Sequence, residues 1–411
     1  MTSEPSQVKE PVLLVMGLCS QTGRSSQPYR GYILDAAVEV CPIWLFDIPG
    51  QNWQNSKVVG KTEFDIFDAE LAVQKARELQ RERQILGVWS PDEATVRFAA
   101  FVAEALRLPG PGSAAVDRAR DKATTRQILT GRGLNQPIST TARTMGECAA
   151  AAQAMNYPVI LKPRNMGASM GVIRVNSSAD LPEAFETASN QSYHGIESLD
   201  EIVVEEYLEG PEVAVDGYFD GNIYHPMGIA HKYLGFEPYF IEVGHDVVSI
   251  TDEHSEIIQQ IADTHRALCL GPIVSHTEVR TTVRGPVVIE VNPRPGGDFI
   301  PMLITEATGV NPIHVAVTAA LGKEPDLTPS HDYAASIAFC YVPEDGLVID
   351  VDGSDIGDAK CLTLVDGRTA LKLPPRGFIG RYAAVIATGE DVATARAAAD
   401  AGSARVKVSM E

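Results

Sequence analysis

Residues 277–301 read TEVRTTVRGPVVIEVNPRPGGDFIP. The run from Val287 to Asn292 has the β-branched, partly alternating character of a strand. It also carries Glu290 and Asn292 where an ordinary strand would present uncommitted surface residues. If Arg284-Gly285-Pro286 turns the chain, the preceding HTEVRTTV folds back as a partner strand and Glu278 faces Glu290. Opposed residues in such a pair lie about 4.5–5.5 Å apart, close enough for two carboxylates to share one ion. Mg2+ takes one or two protein carboxylates and completes its shell with phosphate oxygens and water. Glu278, Glu290 and Asn292 are therefore candidate ligands for a nucleotide-bound cation, and Arg294 follows at once. A surface hairpin with scattered polar groups is the alternative reading of this stretch alone.

Towards the N-terminus, strand and helix alternate through the first hundred residues. Residues 12–17 read as a buried strand, 32–38 as a helix, 42–46 as a second strand, 69–83 as a helix and 87–89 as a third strand. That alternation predicts an α/β unit with a parallel sheet. Such sheets bind ligands beyond their strand ends, which marks Gly17-Leu18-Cys19-Ser20 and Ser90-Pro91-Asp92-Glu93, although ordinary loops account for the same residues. Gly60-Lys61-Thr62 mimics the end of a phosphate loop, but the first glycine of that motif would fall on Asn55, so it is rejected. The turn LPGPG at 108–112 lacks the context of a dinucleotide fingerprint and reads as a domain boundary.

Beyond that boundary, residues 114–129 read as one helix with Lys122 in its middle, ended by Gly131 and Gly133. A second helix over 145–155 leads into a strand over 157–163 with Lys162 at its end. The following loop, RNMGASMGV at 164–172, is rich in small residues. Backbone amides in such a loop can wrap phosphate oxygens, and a flexible hairpin explains the glycines equally well. Strands over 201–207 and 213–219 flank LEGPE. Residues 228–243, with His231, Lys232 and several aromatic rings, read as an irregular loop over a pocket or a satellite hydrophobic cluster. Helices over 255–270, 311–321 and 393–406 and a strand over 334–342 complete the pass.

The chain of 411 residues is long enough for two or three domains, each with its own core. Its formal net charge of -20 argues against binding to nucleic acid or to an anionic membrane. Any phosphate must then be held by local lysine, arginine, backbone amides and metal. Six scattered cysteines with no C-x-x-C pair suggest neither a zinc site nor a disulfide framework. The apolar run at 12–18 is too short to span a membrane and follows acidic residues, which leaves a cytoplasmic location as the expectation.

Taken in order, Lys122, Lys162, the glycine loop, EEYLEGPE at 205–212 and EVNPRPGG at 290–297 resemble the ATP-grasp superfamily over roughly residues 85–390. HTE at 276–278 followed by IEVNPRPGG looks most like the dipeptide-forming L-amino acid ligase branch, which includes alanine-anticapsin ligase and carnosine synthase. More distantly, the set is similar to biotin carboxylase, carbamoyl phosphate synthetase and D-alanine-D-alanine ligase. The resemblance implies an α/β chain, α+β in its ATP-binding part. It implies an N-terminal parallel-sheet, Rossmann-like domain over 1–113, a linker helix and small lid domain over 114–204, and a C-terminal antiparallel-sheet catalytic domain over 205–411.

It also implies roles. Lys122 and Lys162 would contact the α- and β-phosphates of ATP, and Asn165, Gly167, Ala168, Ser169, Met170 and Gly171 would close over the β- and γ-phosphates. Glu205, Glu206, Tyr207 and Leu208 would line the adenine, and Glu212 would take the ribose hydroxyls. Glu278, Glu290 and Asn292 would hold two Mg2+ ions, with Mn2+ as a substitute, and Arg294 would face the reacting carboxylate. His276 would orient a substrate carboxylate or assist proton transfer, a structural histidine being the alternative. Glu93, Gly296, Gly297 and Asp298 are candidate substrate contacts; an acidic Asp298 hints at a polar or cationic substrate, or caps the helix that follows. The implied reaction joins a carboxylate to an amine through an acylphosphate, with small amino acids as partners and a homodimer as an admissible assembly. The alternatives are a carboxyphosphate-forming enzyme like biotin carboxylase and a nucleotide-binding regulator without turnover.

Overall fold

The apolar runs VLLVM, IWLFD and ILGVW form the strands Val12–Met16, Ile43–Asp47 and Ile85–Trp89 of a parallel sheet that Gly60–Glu63 extends at one edge. Both faces of a parallel sheet are covered, so its strands are apolar throughout. Leu13 and Val15 pack with Ile33, Leu34 and Ala37 of the helix Gln27–Val40. Val12, Leu14 and Met16 pack on the opposite face, with Ala72, Val73 and Ala76 of the helix Ala69–Gln80 and Phe98, Ala99 and Val102 of Val96–Ala105. The computed structural model describes residues 9–18, 25–197 and 199–411. Cys19 and Ser20, two of the candidate strand-end residues, lie outside the described residues.

A second sheet is antiparallel, in the order Ser139–Ala142, Ile202–Glu206, Val159–Pro163 and Ile173–Val175. The helices Met145–Met155 and Leu181–Ser189 bury Cys148, Ala152, Leu181, Ala184 and Ala188 against it. The boundary expected between residues 204 and 205 falls inside the strand Ile202–Glu206, which belongs to this sheet.

The largest sheet has eight antiparallel strands, in the order Gly285–Asn292, Ile273–Thr282, Glu212–Phe219, Tyr224–Gly235, Ile241–Val248, Ala334–Tyr341, Arg381–Gly389 and Lys360–Thr363. The helix Ser255–Leu268 covers part of one face through Ile257, Ile261 and Leu268. Ile300–Thr308 and Pro312–Ala320 join its other face to the N-terminal unit in one continuous core. A small sheet of Thr369–Leu371, Gly346–Asp352 and Lys407–Met410 completes the chain. No helix among the described residues is long and apolar enough to cross a membrane.

Several local expectations change. The helix expected over 114–129 is two helices, Ser113–Arg120 and Lys122–Gly131, because Asp121 leaves helical geometry at ψ 100° and its carboxylate accepts from the amides of Ala123 and Thr124. That is N-capping, and it moves Lys122 from mid-helix to a helix start. Residues 228–243 are not an irregular loop. Residues 228–235 and 241–243 belong to the strands Tyr224–Gly235 and Ile241–Val248, joined by a short connection over 236–240, and the pairing of the two strands sets Lys232 opposite His245. The central hairpin turns at Val283-Arg284, since Pro286 is already paired with Thr281. Asp298 does not cap the next helix: Phe299 is the capping residue and no side chain caps it.

Candidate active site

The hairpin places Glu278 opposite Glu290 and His276 opposite Asn292. Their surroundings are cationic. Glu290 Oε1 lies 2.9 Å from Lys122 Nζ, and Glu278 Oε1 lies 3.3 Å from Lys232 Nζ and 3.5 Å from His276 Nε2. Burial works against the charge on Glu278, but Lys232 and His276 outweigh it and hold the carboxyl well below the usual carboxylate range. Asn292 is 4% exposed, and its Oδ1 accepts from Arg294 Nη2 at 3.5 Å. Two opposed carboxylates and a buried amide oxygen fit a hard cation that brings the rest of its shell with it. Among the described residues, no three His, Cys, Asp or Glu side chains form a closed metal cage.

A cavity of about 340 Å3 opens beside the hairpin. Its wall includes Lys122, Lys162, Gly167, Ala168, Ser169, Met170, Glu205, Glu206, Tyr207, Leu208 and Glu212, together with Glu93, His276, Glu278, Glu290, Asn292, Arg294, Gly297 and Asp298. Asn165, Gly171 and Gly296 are not part of that wall. The Asn165 side-chain amide donates to the Glu197 carbonyl. Gly171 has φ +73° and sits so tightly that a Cβ would lie 2.5 Å from Gln191 Cγ and 2.9 Å from Pro163 Cγ. Gly296 N–H donates to Asp216 Oδ2 at 2.7 Å.

Lys162 enters the cavity from the end of its strand and pairs with Glu205 Oε2 at 2.6 Å, while Arg126 Nε takes Oε1 at 2.7 Å. Burial would raise the Glu205 carboxyl, but Arg126 and Lys162 bring it down to about 2. Burial pulls the Lys162 ammonium below its ordinary value, and Glu205 only partly offsets it. Lys122 Nζ donates to the Met166 carbonyl at 2.6 Å, tying the glycine loop to the large sheet through Glu290. Further along the wall, Arg174 lies over the Tyr207 ring at 4.3 Å, and Arg284 pairs with Glu206 at 2.5 Å. Glu212 meets Lys232 at 2.8 Å and Arg280 at 2.9 Å.

Four residues given no role from the sequence, Lys232, Asp216, Arg120 and Arg381, organise this set. Lys232, 3% exposed in its side chain, bridges Glu212, Glu242 at 3.2 Å and Glu278. Burial opposes its charge, and the three carboxylates raise it well above an ordinary lysine. Asp216, fully buried, accepts from His276 Nδ1 at 2.6 Å. Burial would lower the imidazole, but Asp216 and then Glu278 push it up to about 9, so His276 is cationic at neutral pH. Glu93 joins Arg120 at 2.8 Å and Arg294 at 2.7 Å. Asp298 receives a two-pronged contact from Arg381, at 2.6 and 2.9 Å.

A family model for the ATP-grasp domain matches residues 155–302. The chain carries an ATP-grasp domain. The match runs from the end of the helix Met145–Met155, through the glycine loop and the Lys232 strand, to the hairpin and Asp298. Over 357 residues the chain is 26% identical to the uncharacterized protein y4rH of Sinorhizobium fredii, covering 86% of this chain and 73% of that one. It is 28% identical over 142 residues to D-alanine–D-alanine ligase B of Pseudomonas syringae pv. tomato, covering 34% of this chain and 42% of that ligase. The chain therefore spans less than half the length of that ligase. An L-amino acid ligase from Bacillus licheniformis superposes with a TM-score of 0.81 at 21% identity, over 99% of this chain and 100% of that one. A phosphoribosylglycinamide synthetase from Anaerococcus prevotii gives 0.72 at 15% identity, over 98% and 100%. At these identities the likeness is one of fold: a mixed α/β ATP-grasp architecture with a parallel N-terminal sheet and antiparallel sheets beyond it.

Proposed function

We propose that this chain is an ATP-dependent carboxylate–amine ligase that joins small amino acids, by way of an acylphosphate, and releases ADP and phosphate. The observation that carries the reading is the convergence, in one cavity, of Lys122 and Lys162 with the opposed Glu278–Glu290 pair and Arg294. Lysines suit phosphate as point charges, and a planar arginine suits a carboxylate or acyl phosphate. The ATP-grasp domain and the folds it resembles support the same class of chemistry. We take the chain as three units, a parallel-sheet domain, a lid and a catalytic sheet, acting in the cytoplasm.

Glu278, Glu290 and Asn292 are the residues that would hold Mg2+. Bound there with ATP, Mg2+ would supply Lewis-acid stabilisation to phosphoryl transfer. Lys122 and Lys162 bind and orient the nucleotide phosphates. The loop at 165–171 covers them and excludes water, which would otherwise hydrolyse the activated carboxylate. Glu205, Glu206, Tyr207 and Leu208 line the adenine and Glu212 takes the ribose hydroxyls. Arg294, steadied by Glu93, faces the reacting carboxyl group and stabilises the oxyanion that forms as the amine attacks, the kind of aid worth roughly 3 kcal/mol. His276, kept cationic by Asp216, is suited to holding an anion and not to removing a proton from the amine.

The test is phosphate release by the purified chain with Mg-ATP and all pairwise amino-acid mixtures. ADP and phosphate formed only when amino acids are present supports the ligase. Release that depends on bicarbonate alone, or no release with any pair, overturns it.

A further inference from the structure

Arg381 and Asp298 meet at the cavity wall beside the Tyr29–Phe299–Tyr32 ring cluster, and the two partners are not equally committed. The guanidinium is spent within the protein. Besides its contacts with Asp298, it donates to the Tyr341 hydroxyl at 2.7 Å and the Glu242 carbonyl at 3.0 Å, and it rests on the Phe339 ring at 3.8 Å. Only 5% of its side chain is exposed, against 27% for Asp298. A carboxylate offers about four acceptor positions, and the guanidinium fork takes two. What Asp298 presents to the cavity is therefore acceptor edge alone.

His245 lies behind it, fully buried, with Nε2 3.7 Å from Asp298 Oδ2. Burial, the largest influence on that ring, lowers its proton affinity, and Asp298 works in the opposite direction. The backbone supports the same presentation. Asp298 and Phe299 are both in the left-handed region, at φ 51° and 63°, a conformation that costs non-glycine residues energy and persists where surrounding contacts impose it. Because Arg381 cancels the charge of Asp298, the pair attracts by hydrogen bonding more than by net charge.

We propose that the Asp298–Arg381 pair is a specificity device that accepts a hydrogen bond from substrate, so that the amino acid held at this end bears a donor in its side chain, an amide or an ammonium, and acidic side chains are excluded. The inference rests on the ligase reading and names the substrate class for that site. A side-chain carboxylate has no proton to offer at neutral pH and would leave the open acceptor positions of Asp298 desolvated and unpaired.

The experiment measures phosphate release at pH 7.5 by the full chain with Mg-ATP. Glutamine, glutamate, lysine and norleucine are each varied against a fixed mixture of glycine, alanine and serine. The expected kcat/KM for glutamine or lysine exceeds that for glutamate and for norleucine by roughly tenfold to a hundredfold, the range of a hydrogen bond to a charged group. In Asp298→Asn, Arg381 loses its counter-charge, and glutamate is expected to overtake glutamine. Mg-ATP affinity by calorimetry reports whether that variant is folded; if it is not, the wild-type ranking decides. Glutamate equal to glutamine, or norleucine above both, overturns the inference while leaving the ligase reading standing. If no amino acid releases phosphate, the ligase reading falls instead. Calorimetric binding of glutamine and glutamate to the Mg-ADP complex then still decides between donor and carboxylate.

Discussion

Replacing Glu93 with glutamine removes one carboxylate from between two arginines that belong to different parts of the molecule. Glu93 follows the strand Ile85–Trp89, Arg120 ends a linking helix, and Arg294 follows the large-sheet strand Gly285–Asn292. Burial works against the Glu93 charge, but Arg294 and Arg120 bring its carboxyl from 4.5 down to about 2. At about 1.36 kcal/mol per pH unit, that difference corresponds to roughly 3.4 kcal/mol. Glu93 retains 17% side-chain exposure, so solvent screening reduces the figure to about 2–3 kcal/mol, close to the roughly 3–5 kcal/mol lost when one partner of a buried pair is removed.

The sign follows from proton binding. The folded value lies below the unfolded one, so the stabilisation is complete above the unfolded value of about 4.5 and is lost as pH falls through about 2. Urea unfolding followed by tryptophan fluorescence should place Glu93→Gln about 2–3 kcal/mol below wild type at pH 7, and about half that far below at pH 3. Coincident transitions at pH 7, or a deficit of the same size at pH 3, would refute the electrostatic account of this contact.

Glu290→Gln should reduce ATP-dependent phosphate release by at least about a hundredfold, since it removes one of two opposed carboxylates and the ion pair of Lys122. Retention of activity within threefold, measured by coupled phosphate assay, would remove Glu290 from the reaction. Lys232→Met leaves Glu212, Glu242 and Glu278 without their common cation, and a loss of roughly 3–5 kcal/mol in denaturant unfolding is expected. Gly171→Ala forces a side chain into a left-handed residue against Gln191 and Pro163. It should cost about 1 kcal/mol or more and weaken hydrogen-exchange protection over residues 159–175, and unchanged protection there would show that the loop absorbs the strain.

What could be read from the sequence was whatever lay close together along the chain. Glu278 and Glu290 flank a short turn, so a correct strand assignment was enough to oppose them even though the turn itself sits slightly earlier than expected. The fold class followed from alternating apolar runs in the first hundred residues and from the ordered motifs beyond them. The partners that set the charges were not legible. Asp216 meets His276, Arg381 meets Asp298 and Arg126 meets Glu205 only after distant strands and helices have been packed together. Lys232 was hidden differently: the aromatic, proline-containing composition of residues 228–243 masks two strands whose pairing carries a register shift between Tyr233 and Leu234. Local propensity does not register a strand defined mainly by its neighbours.

The break between the helices ending at Arg120 and beginning at Lys122 has a consequence for how the chain tolerates change in length. Arg120 reaches Glu93 in the N-terminal unit, Asp121 takes Arg164 beside the four-stranded antiparallel sheet at 2.6 and 2.7 Å, and Lys122 reaches Glu290 of the large sheet. Three consecutive side chains thus address three different bodies. A residue inserted or deleted on a helix rotates everything beyond it by about 100°, so a change of one at this junction would turn two or more of these contacts away from their partners at once. Here the spacing along the chain, and not only the identity of the residues, is what registers the three bodies against one another.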